Sequence, residues 1–79
     1  MFTEIEKNKD LLQKYSKYQI INIAFLLLKQ EIEDMKKYNQ KFIITEVMEK
    51  VIEKLANNEY SQEQIDNVIN LDSNKNLNV

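Results

Sequence analysis

Apolar residues recur along this chain at helical intervals and fall into four stretches separated by polar breaks. The clearest stretch is Ile44, Val47, Met48, Val51, Ile52 and Leu55, whose steps of three, one, three, one and three make one broad helical face. Glu46, Glu49, Lys50, Glu53 and Lys54 fill the opposite side. Upstream, residues 20–28 read IINIAFLLL, with Asn22 their single polar member. A helix that is apolar on every side needs neighbours on every side. Past Leu28 the pattern narrows to Ile32 and Met35, with Tyr38 near the end. The first stretch is the weakest: Phe2, Ile5, Leu11, Leu12 and Tyr15, with five polar residues between Ile5 and Leu11. The last is short: Ile65, Val68 and Ile69.

Boundary signals divide these stretches into elements. Thr3–Glu6, Ser16–Gln19 and Ser61–Gln64 each match the capping box, in which a hydroxyl takes the third helical N–H and the Glu or Gln reaches back. Asn39 is placed to cap the helix that follows it. The pair Asn57-Asn58 suits a helix end, because Asn tolerates the left-handed conformation that Gly usually supplies. Helices are therefore expected near residues 3–15, 17–38, 41–57 and 62–70, with one continuous helix over 3–38 as the alternative to a corner at Tyr15-Ser16. The expected fold is all-α, a small four-helix bundle with unequal helices. Residues 1–71 form its single domain and 72–79 a frayed, flexible tail. Ala24, Phe25, Leu28, Val47, Met48, Val51 and Leu55 are the expected core.

Composition sharpens this picture mainly through what is missing. The chain has no Gly, Pro, Cys, His or Trp, and every basic residue is Lys. Tight hairpins lean on Gly, so its absence argues against strands. Without Cys there is no disulfide or thiolate metal site, and without His the commonest base near neutral pH and the commonest transition-metal ligand are lost. Glycine-rich phosphate loops are ruled out, and no calcium-loop spacing occurs. The carboxylates lie on polar helix faces among lysines, and Thr3, Ser16 and Ser61 read as caps. No enzyme, no metal and no cofactor is the expectation. The IINIAFLLL run falls well short of the ~20 residues of a membrane span and lacks the flanks of a signal peptide, so the cytoplasm is the expected location.

Two stretches mix lysine with aromatic side chains: Lys14-Tyr15-Ser16-Lys17-Tyr18 and Lys36-Lys37-Tyr38-Asn39-Gln40-Lys41-Phe42. Lysine neutralises phosphate and aromatics stack on bases, but the two would sit ~30 Å apart at the ends of one helix. Arg, the commonest specific reader of bases, is absent, and the last helix is acidic, so nucleic acid ranks behind protein as a partner. Residues 1–54 hold nine acids and ten Lys, whereas Glu59, Glu63, Asp66 and Asp72 face Lys75 alone further on. That acidic end can dock a basic partner or simply keep the chain in solution. The second helix has more apolar surface than the short helices around it can cover. A patch containing Ile23 or Leu26 together with Tyr18 or Phe2 is expected to remain, closing a homodimer or receiving another protein.

Tyr60-Ser61-Gln62-Glu63-Gln64 followed by Ile65, Val68, Ile69 and Leu71 resembles the last helix of the pediocin-type bacteriocin immunity proteins. The preceding amphipathic helix and polar loop are similar too, over roughly residues 43–71. The resemblance implies a small cytoplasmic four-helix bundle that protects a producer cell from its own membrane-active peptide. Helix one is shorter than that family suggests, and the tail lacks the basic and aromatic residues some members carry. The abundance of Asn, Gln and Lys suits an AT-rich bacterial, phage or plasmid genome. The leading expectation is a non-enzymatic module that regulates or inhibits another protein by binding it, with an immunity-type bundle second and a nucleic-acid accessory protein third.

Overall fold

The computed structural model describes the backbone of residues 2–77 and the side chains of residues 3–72. These residues are all-helical: α1 (Phe2–Ile5), α2 (Lys9–Lys14), α3 (Lys17–Lys37), α4 (Ile44–Ala56) and α5 (Gln62–Leu77), with no strand among them. The long α3 is the axis of the bundle. It packs on α2, α4 and α5, while α1 packs on α4. The core runs through all five, from Ile5 and Leu11 through Ile20, Ile23, Ala24 and Leu27 to Val51, Leu55, Ile65 and Val68.

The expected first helix is two helices. On one uninterrupted helix, Ile5 and Leu11 would point about 120° apart, because six residues at 100° each do not return to the same face. Breaking the chain at residues 6–8 turns both inward, and both are buried. Asn8 makes the second start by accepting the Leu11 N–H on its side-chain oxygen at 3.2 Å. Thr3 lies inside α1 rather than ahead of it. Glu6, beyond the one-turn α1, instead pairs with Lys17 at 3.5 Å.

The other two capping boxes form as expected. The Ser16 N–H donates to Gln19 Oε1 at 2.8 Å and the Gln19 N–H returns to Ser16 Oγ at 3.2 Å. Ser61 and Gln64 repeat the exchange at 2.9 and 3.1 Å. At the C-termini, two asparagines do the work of glycine. Asn39 and Asn58 take φ of 54° and 55°. Gln40 N–H donates to Met35 O, and Glu59 N–H to Lys54 O, both at 2.8 Å. Each is the six-to-one bond of a Schellman end. Asn39 thus closes α3 rather than opening α4, and α4 begins at Ile44, later than the expected residue 41. Its N-cap is Ile43, which offers no side-chain acceptor. α5 continues to Leu77, past the expected end near residue 70 and through the expected tail, since nothing in that stretch breaks a helix. The last two tail residues lie outside the described residues.

Of the expected core, Ala24, Leu28, Val47, Val51 and Leu55 are buried and Met48 is partly so. Phe25 is not: it is 53% exposed. The neighbours of α3 cover the faces carrying Ile20, Ile23, Ala24 and Leu27, and Phe25 falls on the face left open.

Candidate functional site

Among the described residues, the open face of α3 is one of two places where large apolar side chains gather in solvent. Tyr18, Ile21 and Phe25 stand at i, i+3 and i+7, so they line one side of the helix, and all three are exposed, Tyr18 by 86%. Ile32, one heptad beyond Phe25, extends the line half-buried. Lys29 and Lys36 share this side at the C-terminal end.

The residues singled out from sequence separate around this face. Tyr18 is on it. Ile23 is not: at 2% exposure it belongs to the core, because five residues on from Tyr18 the helix has turned to its far side. Leu26 is half-buried and lines a shallow groove between α3 and α5 with Lys29, Gln30, Val68 and Leu71. The side chain of Phe2 lies outside the described residues. Glu59, Glu63 and Asp66 are all exposed. Glu63 and Asp66 are one turn apart on α5, and Asp66 accepts from Gln62 Nε2 at 2.9 Å. Glu59 lies in the loop before α5. Ile21 and Phe25, which the expected patch does not include, complete this face at helical spacing from Tyr18.

Two polar clusters fix the geometry beneath these surfaces. Asn8, nearly fully buried, uses its whole amide: Oδ1 accepts from Leu11, while Nδ2 donates to Leu55 O at 2.8 Å and to Asn58 Oδ1 at 2.7 Å. It therefore joins the start of α2 to the end of α4. On another side, Tyr60 donates its hydroxyl to Glu31 Oε1 at 3.4 Å. The Lys54 ammonium sits 4.6 Å from the Tyr60 ring centroid and 3.8 Å from Glu31. Burial, and then the Glu31 charge, hold the Tyr60 hydroxyl well above its ordinary range. Gln62 ties the helix ends together, donating to Tyr15 Oη at 2.7 Å and accepting from Lys14 Nζ at 3.1 Å.

The two lysine–aromatic stretches lie at opposite ends of α3. At the second, Tyr38, Ile43 and Ile44 are exposed by 68%, 58% and 57% beside Lys36, Lys37 and Lys41. Among the described residues no helix is long and apolar enough to cross a membrane. No protein-family model, curated protein or solved structure matches this chain.

Proposed function

We propose that this chain is a small, non-enzymatic protein-binding module that works in the cytoplasm as a regulator or inhibitor of another protein. The observation that carries this reading is the outward line Tyr18, Ile21 and Phe25 on the longest helix. Large apolar side chains gathered on one exposed face mark interaction surfaces. Spacing of i, i+3 and i+7 is the pattern with which an amphipathic helix enters an apolar groove. Aromatic residues at the centre of such a contact carry much of its energy. A protein partner suits this face better than nucleic acid, since only two lysines share it and its apolar members include an aliphatic side chain.

The test is quantitative affinity capture from the source cell with the wild-type chain and with Phe25→Lys, which circular dichroism should show to be equally helical. A protein recovered stoichiometrically by the wild type and lost by Phe25→Lys supports the reading. Equal recovery by both removes the α3 face from the account. Sedimentation equilibrium of the wild type at high micromolar concentration decides whether the same face also pairs two copies.

A further inference from the structure

A second surface, independent of the α3 face, lies where α3 turns into α4. Residues 35–45 contain Lys36, Lys37 and Lys41 and no acid. Lysines in a last helical turn answer the helix dipole without any ligand, which accounts for Lys36 and Lys37 but not for Lys41, beyond the helix end. Nor does it account for the apolar residues. Tyr38, Ile43 and Ile44 stand mostly in solvent at this corner, and Phe42 is half-buried behind them. Lys41 and Lys50 line one shallow depression there with Met35, Phe42 and Ile43, and Glu46 is its carboxylate.

The backbone also breaks a local rule at this point. Ile43 occupies the N-cap of α4 with φ −115° and ψ 123°, where Ser, Thr, Asp or Asn would accept a helical N–H, and it makes no cap bond. This same chain caps α3 and α5 with serine. A mostly exposed isoleucine stands where a capping side chain would be, and local rules of this kind are broken most often at functional positions.

We infer that the α3–α4 corner docks on an anionic lipid surface, with Ile43, Ile44 and Tyr38 entering the headgroup–acyl boundary and Lys36, Lys37 and Lys41 against the phosphates. Charge and shape both select this occupant. Lysine is drawn to an anionic leaflet, each residue near the surface multiplying partitioning about fivefold, and Tyr favours the interfacial zone. The exposed aliphatic side chains Ile43 and Ile44 gain nothing from a nucleic-acid backbone, and no Arg is present to read bases. A corner of this size is also far smaller than the roughly 20–30 residues a stable protein interface engages on each side.

Co-sedimentation of the intact chain at low salt, with phosphatidylcholine vesicles and with vesicles also carrying phosphatidylglycerol, tests this. The wild type should partition onto the anionic vesicles, and raised salt should release it. Lys37→Gln with Lys41→Gln should lower partitioning roughly twenty-fivefold. The decisive variant is Ile43→Ser, which leaves the charge untouched and sets a hydroxyl three residues ahead of Glu46, the spacing of a capping box. It should melt higher than the wild type and yet partition severalfold less. Absence of binding to anionic vesicles, equal binding to neutral ones, or wild-type partitioning by Ile43→Ser would each overturn the inference. A single-stranded oligonucleotide bound equally by the wild type and Ile43→Ser, and displacing the lipid, would assign the corner to nucleic acid and overturn it as well.

Discussion

Asn8 shows how much a single buried amide can organise. Its oxygen starts α2, and its two N–H groups hold the end of α4 through Leu55 O and Asn58 Oδ1. Replacing it with Ala removes a cap and a long-range tie and should cost about 2–3 kcal/mol, a large share of the roughly 4–12 kcal/mol that a chain this long commands. Asn8→Asp keeps the capping oxygen but turns a second, negatively charged oxygen towards two acceptors. At neutral pH it should be worse than Ala. Acidification should restore part of the loss, because the protonated acid can donate again; urea denaturation at two pH values checks this. Tyr60 has the opposite surroundings at the other end of the pH scale. Its hydroxyl is raised above the ordinary value of about 10 by burial and by Glu31. A raised folded value means stability that is whole below the unfolded value and lost as pH climbs past it. Wild type should therefore lose stability above about pH 10 more steeply than Tyr60→Phe, measured by melts across the alkaline range. Parallel curves would refute the link.

At the scale of elements, the ends of the helices carry most of the specific information. Ser16 and Ser61 form reciprocal caps, whereas α4 begins on Ile43 with none. Ile43→Ser should stabilise the fold by about 1 kcal/mol, read as a higher melting temperature. A neutral or negative shift would mean that Ile43 packs in a way its exposure conceals. The same ends explain which elements were legible in sequence. The α4 stripe and the two serine boxes are local patterns, and the structure repeats them closely. The break inside the first helix was less plain, because it depends on where α4 lies. Ile5 must reach α4 and Leu11 the core beside α3, and no local rule states this. Asn39 has a side chain that serves equally before a helix or after one. Which it does was settled by the Schellman bonds of α3, formed across the turn.

For the molecule as a whole, the balance lies between covering α3 and leaving part of it open. Sequence alone signalled that so apolar a helix could not be fully covered, but not which side would stay exposed. Ile23 and Phe25, two residues apart, exchanged the roles expected of them because the positions of α4 and α5 decide which face is lost to solvent. The central claim is that the Tyr18–Ile21–Phe25 face is spare to the fold and kept for a partner. Thermal unfolding of Phe25→Lys beside Leu27→Lys tests it most directly. Leu27 is buried on the opposite side of the same helix, and a lysine there is a charge without a partner in the core. The account predicts that Phe25→Lys melts within a few degrees of the wild type, as surface substitutions do, while Leu27→Lys does not fold. Cooperative unfolding lost in both variants would place Phe25 in the core and contradict the account.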